Sequence, residues 1–256
     1  MRKLSAVLLA LSLAIAAARG EWELIAGETH VSITGGVEHR HLIVQEGENA
    51  GRATIDVALI AAKSAKLRVI DNPTGSETLA DAMRLGKCVA GVNGGYFDPN
   101  FKPIGLLISD GAIISPVTRA RVLTGVLYSS DVGIDIVRLR EFSRKQKPNA
   151  AVECGPFLID LGNRIRGLDE RRSARRTFAA VARGGNAALG VSSDLTLAQL
   201  SEALSKISLR DDFKIWRALN LDGGSSCAFW FARREGNGFS IPEEKTVRDF
   251  VAVVAK

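Results

Sequence analysis

The sequence is poor in the residues that staple small exported folds and in those that read nucleic acids. It has three cysteines, three histidines, two methionines and two tyrosines among 256 residues. Cys88, Cys154 and Cys227 form an odd, widely spaced set, which excludes a disulfide scaffold. One pair can still form, but each lies in an apolar, strand-like run, where a free thiol packs as a small hydrophobe. No cysteine–histidine spacing suits a structural zinc site. No helix-turn-helix, zinc finger or aromatic-basic platform occurs, which argues against a nucleic-acid partner.

Long apolar runs are also missing, with one exception at the start. Leu4 to Ile15 follows Met1-Arg2-Lys3 and precedes Ala16-Ala17-Ala18, the order of a signal peptide cleaved before Arg19. It falls short of the ~20 apolar residues of a membrane span, so no stable insertion is expected once it is removed. An uncleaved anchor is the alternative. Residues 1–18 are therefore expected to be a signal peptide, and residues 19–256 one exported domain, secreted or periplasmic. A chain that is 46 % hydrophobic overall can bury a full core over that length.

Net charge is mild. Without Arg2 and Lys3 the chain carries 32 basic and 28 acidic residues. The basic residues cluster between Arg164 and Arg183, above all in Arg171-Arg172-Ser173-Ala174-Arg175-Arg176. Such a run can be an anion site or a polyanion-facing patch. The alternative is a solvated loop with a few useful arginines.

Strand signals dominate. Ala53 to Leu59 alternates, with Ile55, Val57 and Leu59 on one face, and Leu67 to Ile70 follows. Ile104 to Ser109 and Ala112 to Ser115 flank Asp110-Gly111, the loop of a type I′ hairpin. Val122 to Tyr128, Ile134 to Arg138 and Ala151 to Ile159 read as further strands. Thr177 to Ala182 and Ala187 to Val191 flank Gly184-Gly185-Asn186, a second hairpin. Cys227 to Ala232 and Val247 to Val254 close the chain. A helix is predicted from Ser76 to Leu85, stopped by Gly86. Another starts at Thr196, which forms a capping box with Gln199 and is followed by a stripe of Leu197, Leu200, Leu204 and Ile207. Hairpins outnumber βαβ crossovers, so the expected fold is α+β: a mixed, largely antiparallel sheet with helices packed outside, in one domain.

Two glycine pairs carry the chemistry. Asn93-Gly94-Gly95-Tyr96-Phe97-Asp98 and Asn220-Leu221-Asp222-Gly223-Gly224-Ser225-Ser226 each follow a short apolar strand. Glycine admits positive φ and lets a ligand approach the main-chain N–H groups. Asn93 and Asp222 end apolar strands, where a polar side chain calls for a partner. Together the pairs suggest two walls of one pocket, with Tyr96 as wall and Phe97 as core; mere turns are the alternative. The second motif lacks the Lys-Ser/Thr ending of a phosphate loop, and no Gly-x-Ser-x-Gly elbow exists. His30, His39 and His41 lie far from Ser225 and Ser226 in the sequence, which disfavours a serine–histidine triad. His39 and His41 have strand spacing and should share a face.

Glu153 is a carboxylate in an apolar strand, expected on the face opposite Val152 and Cys154 and a candidate general acid. Its alternative is a solvent-facing or arginine-paired residue. Arg176-Thr177 can place a guanidinium on an anion, or serve as a surface salt bridge.

In order, Val92-Asn93-Gly94-Gly95-Tyr96-Phe97-Asp98, Pro103-Ile104-Gly105-Leu106 with Asp110-Gly111, Cys154-Gly155-Pro156-Phe157-Leu158-Ile159, Arg176-Thr177 and Ala218 to Ser226 resemble the phosphodiester glycosidase family. The resemblance runs from about Gly36 to Val254. Phe178-Ala179-Ala180-Val181 departs from it, standing where small residues and glycine are more usual. It implies hydrolysis of a sugar-1-phosphodiester, of the N-acetylglucosamine-1-phosphodiester kind, at the anomeric carbon. Asp222 would then be nucleophile or general base, with Glu153 as reserve acid. Arg176, Thr177, Asn220, the Gly223–Gly224–Ser225 backbone and the Ser225 and Ser226 hydroxyls would bind substrate. Asn93, Gly94, Gly95 and Tyr96 would line the sugar side. No cofactor is required by it. A divalent cation on Asp222 or Asp98 is an open alternative, though no dense carboxylate cluster calls for one. The rival from another class is a non-catalytic binder or processing factor of envelope or exopolysaccharide glycan phosphates.

Overall fold

Gly155-Pro156 divides an apolar stretch that looks like one strand. In the computed structural model, Ala150–Cys154 and Phe157–Asp160 are separate strands. The first pairs within a five-stranded sheet and the second within an eight-stranded one. The structure describes residues 20–48, 51–235 and 238–256. The expected signal peptide, residues 1–18, lies outside them.

Three strands, β1 (Trp22–Val31), β2 (Val37–Glu46) and β3 (Arg52–Ile60), form a meander. β4 (Ala65–Asp71) leads to α1 (Leu79–Leu85) and β5 (Ala90–Asn93). The hairpins β6 (Leu107–Ser109)–β7 (Ala112–Ser115) and β8 (Gly125–Ser129)–β9 (Ile134–Arg138) precede β10 (Ala150–Cys154), β11 (Phe157–Asp160) and β12 (Asn163–Arg164). Then come β13 (Ala174–Ala182), β14 (Ala187–Leu195), α2 (Leu197–Lys206) and β15 (Ile215–Asn220). β16 (Phe229–Phe231), β17 (Phe239–Ile241) and β18 (Asp249–Ala255) complete the chain. The sheet orders are β1-β2-β3-β14-β13-β15-β11-β12, β7-β6-β10-β8-β9 and β17-β16-β5-β18-β4.

All the ladders among the described residues are antiparallel. The molecule is mainly β, in one compact domain with two short helices. This corrects the expected mixed sheet and α+β class: the strands that each helix joins do run parallel, but an antiparallel strand lies between them, β18 between β4 and β5 and β13 between β14 and β15, so no parallel ladder forms. The three sheets bury one shared core, with Ala58 and Val181 from the first, Leu127 and Val152 from the second, and Val92 and Val251 from the third. α2 covers the outer face of the large sheet through Leu200, Ala203 and Leu204. α1 packs Leu79, Ala82 and Met83 against Trp230 and Phe250. No helix among the described residues is long and apolar enough to cross a membrane.

Local chemistry explains the elements that the sequence predicts. Asp110 and Gly111 both have positive φ, 46° and 81°, as a type I′ turn needs. Thr196 and Gln199 form the capping box of α2. α1 begins three residues later than predicted, at Leu79, because Thr78 rather than Ser76 caps it by accepting from the Asp81 N–H. Gly86 ends it with φ of −75°; the left-handed residue is Lys87. The Phe178 departure is accommodated across the ladder. Phe178 faces Gly190, where an added Cβ would come within 2.6 Å of its ring.

Candidate functional site

β5 and β15 belong to different sheets, and their ends are stitched together. The Asp222 N–H donates to the Gly94 carbonyl at 3.1 Å, and Asn93 Nδ2 donates to the Asp222 carbonyl at 2.8 Å. The two glycine motifs thus meet in one place. Asn93 is fully buried, and its Oδ1 accepts from the Thr177 hydroxyl at 2.6 Å and the Ala228 N–H at 3.1 Å. The same hydroxyl lies 3.1 Å from the Cys227 sulfur, and the Thr177 carbonyl accepts the Leu221 N–H at 2.8 Å. The Asn93 amide is therefore committed to protein groups; it holds the Asp222 main chain and presents no surface to a sugar.

Tyr96 joins the same framework. Its hydroxyl donates to the Gly155 carbonyl at 2.7 Å and accepts from Asn220 Nδ2 at 3.0 Å. Burial, then the neighbouring Cys154 and Asp222, push its pKa above the ordinary phenol value. Asn220 is buried, with Nδ2 also directed at the Gly155 and Leu221 carbonyls and Oδ1 lacking a partner among the described residues. Gly94 and Gly95 are buried as well.

From Asp222 to Ser225 the chain is half-buried and reaches the surface. Asp222 Oδ1 accepts the Gly223 N–H at 2.9 Å. Burial raises the Asp222 pKa, opposed by hydrogen bonds from the Ser226 hydroxyl and Gly223 and by the charge of Arg172. Gly224 takes φ of 66° and opens a single 3-10 turn, Gly224–Ser226. This turn is pinned from outside, where the Ser225 carbonyl accepts the Glu244 N–H at 2.8 Å. A side chain at Gly223 would press on the Arg175 carbonyl, so the loop lies flat against β13.

Arg176 lies beside that loop. It is buried, donating Nε to the Leu195 carbonyl at 2.9 Å and Nη2 to the Arg172 carbonyl. It forms no ion pair among the described residues, and burial lowers its pKa. A buried guanidinium held mainly by neutral carbonyls, with the Asp169 charge acting on it without an ion pair, can attract a further anion. Arg172, exposed on the preceding loop, adds a second positive charge near Asp222.

Glu153 stands apart. Val152 packs toward Gly95, and alternation sends Glu153 to the opposite face of β10. There Oε2 accepts the N–H groups of Leu106 at 2.8 Å and Thr118 at 3.0 Å. The predicted reserve acid is thus a buried anchor for the two ends of the β6–β7 hairpin and is not gathered with Asp222. The histidines also serve elsewhere: His39 Nε2 and His41 Nδ1 both meet Asp56 Oδ1, at 2.8 and 2.9 Å, rather than Ser225 or Ser226. The three cysteines are buried and free, and burial lifts the Cys227 thiol to about 11. A cavity of about 600 Å3, lined by Lys63, Tyr128, Arg183 and Trp216, lies beyond the other ends of β13 and β15 and contains none of the site residues.

Asp249 is the site residue that sequence reasoning missed. It lies directly beneath Gly94 and Gly95, whose N–H groups bond to its carbonyl and to Oδ1. The signal that picked out Asp222 and Glu153, a carboxylate at an apolar strand, applies equally to Asp249 before Phe250 to Val254. Among the described residues no three His, Cys, Asp or Glu side chains converge as a metal site.

The fold is similar to the catalytic domain of zebrafish N-acetylglucosamine-1-phosphodiester α-N-acetylglucosaminidase, solved in a form auto-inhibited by its pro-peptide. The TM-score is 0.66 at 16 % identity, over 90 % of this chain and 88 % of that one. A Synechocystis protein described as hypothetical matches with a TM-score of 0.61 at 15 % identity, over 86 % of this chain and 62 % of that one. A putative exported protein of Burkholderia pseudomallei matches at 0.54 and 14 %, over 82 % and 76 %. No curated protein sequence matches the chain. The phosphodiester glycosidase family model matches residues 86–254, which span both glycine motifs and Arg176-Thr177, and the chain belongs to that family.

Proposed function

We propose that this protein hydrolyses the bond between C1 of a sugar and the oxygen of a phosphodiester. Water supplies hydroxyl to C1 and a proton to the products, giving free sugar and a phosphomonoester. The observation that carries the proposal is a half-buried Asp222 carboxylate at the head of a glycine loop that lies against the buried Arg176, which forms no ion pair among the described residues. The anion in that arrangement faces electron-poor C1, and the cations face the departing phosphate. Phosphate is a weak base, so its departure needs little protonation and one carboxylate can suffice. Asp222 is the nucleophile or general base. Arg176, the Gly224 and Ser225 N–H groups and the Ser225 hydroxyl hold the phosphate, with Arg172 at the rim. Thr177, Asn93 and Asn220 position this loop from behind. An N-acetylglucosamine-1-phosphodiester is the substrate class we favour, on the strength of the zebrafish relative's printed activity.

We place the activity outside the cytoplasm, on the leader pattern of residues 1–18, and route no step through a cofactor. Purified protein incubated with a panel of sugar-1-phosphodiesters, with and without chelator, is the test. Release of reducing sugar in both conditions supports the proposal. Tight binding without release would replace it with a glycan-phosphate binder.

A further inference from the structure

Asp249 opens β18 and is 1 % exposed. Its Oδ1 accepts the Gly95 N–H at 3.0 Å, and its carbonyl accepts the Gly94 N–H at 2.9 Å. The carboxyl fills the space that a side chain on residue 94 would need, since a Cβ built there overlaps Oδ1. Gly94 in turn receives the Asp222 N–H. Asp249 is therefore one residue removed from the proposed catalytic carboxylate, with the glycine pair between them.

Its other oxygen, Oδ2, is buried and has no hydrogen-bond partner among the described residues. The groups facing it offer little to a negative charge. Just before its strand, the Arg248 guanidinium is engaged in a two-pronged pair with Asp71 of β4. Asp71 itself is acidic and lies opposite Asp249 in the ladder. β10 contributes the Cys154 thiol, which burial keeps protonated, and the second glycine loop contributes the anion Asp222. β5 contributes only Asn93 and neutral main chain. Among the described residues one N–H donor reaches this carboxyl, and the nearby Arg248 charge is shared with Asp71, a poor environment for a buried carboxylate. Burial pushes the Asp249 pKa up to about 7, against the Gly95 hydrogen bond and the Arg248 charge and with Asp71 and Asp222 adding to the rise.

We propose that Asp249 is a positioning residue that works as the uncharged acid. It locks the Gly94–Gly95 turn that receives Asp222, and its ionisation puts a second buried negative charge behind Asp222. The activity half of this proposal rests on the reaction proposed above; the stability half does not.

Asp249→Asn, in the full chain, mimics the neutral acid in shape. A pKa raised in the folded state contributes stability that is present below the ordinary carboxylate value and lost as pH rises through about 7. The thermal midpoint of the variant minus that of the wild type should therefore grow from pH 4 to 7 and then level. The ratio of variant to wild-type kcat/KM should rise about tenfold between pH 6 and 8, because only the wild type ionises there. A midpoint difference that stays flat across pH 4 to 8 overturns the proposal. So does a loss of about a hundredfold or more in the variant at every pH, which would make Asp249 a proton donor to the reaction. A growing midpoint difference in a protein that cleaves no sugar phosphodiester supports the protonated Asp249 and removes the reaction instead. If the variant does not fold, infrared titration of the wild type decides. A carboxyl that ionises near pH 7 supports the proposal, and complete ionisation below pH 5 overturns it.

Discussion

Asn93-Gly94-Gly95 and Asp222-Gly223-Gly224 share composition and a strand-end setting, yet they face opposite ways. Around the first pair everything is buried: the Asn93 amide is held by Thr177, Ala228 and Asp222, and Asp249 fills the floor. Around the second pair the loop from Asp222 to Ser225 is half-buried, and a Cβ on Gly224 would meet nothing within 4 Å. Glycine serves close packing in the first case and loop shape with access in the second. A polar residue beside glycine is thus a candidate for scaffold as much as for chemistry, and what separates the roles is where the side chain's hydrogen bonds go.

Substitutions that part the two motifs would sharpen this contrast. Asp222→Asn should show the largest effect, a fall of about 10³-fold or more in kcat/KM with the thermal midpoint nearly unchanged. Sugar release and calorimetry on the same preparation check it. Gly94→Ala should act through stability. Its methyl would overlap a carboxyl that is itself buried, at a cost of about 3 kcal/mol, readable by urea denaturation. Gly224→Ala should be the mildest. Only its positive φ opposes the change, at about 1–2 kcal/mol, with any kinetic loss expected mainly in KM for the phosphodiester. If Gly224→Ala proved the more damaging to stability, the division into buried scaffold and open edge would fail.

Elements set by local chemistry are the ones the sequence discloses. The Asp110-Gly111 turn, the Gly184-Gly185-Asn186 turn and the Thr196 cap of α2 are fixed by residues within a few positions of one another. β1 escapes notice because nearly all of it is exposed, with Trp22 its one buried side chain, so no alternation marks it. The division of β10 from β11 escapes because apolar residues continue on both sides of Gly155-Pro156 and only the sheet partners differ. The same limit applies to the site. Asp222, Arg176 and the two glycine pairs are recognisable because their residue types are unusual at strand ends. Alternation gives the face of Glu153, but its partners are main-chain N–H groups about 35 and 47 positions away, which no spacing rule reveals. Asp249 is not marked by the sequence, because it fills the space beneath Gly94, a property of the assembled sheets.

The account's central claim is that cleavage occurs at the sugar carbon, with Asp222 facing C1 and the arginines facing phosphate. Hydrolysis of a sugar-1-phosphodiester in oxygen-18 water tests it most directly. The account predicts the label in the released sugar and none in the phosphomonoester; label in the phosphate would mean P–O cleavage and would contradict it.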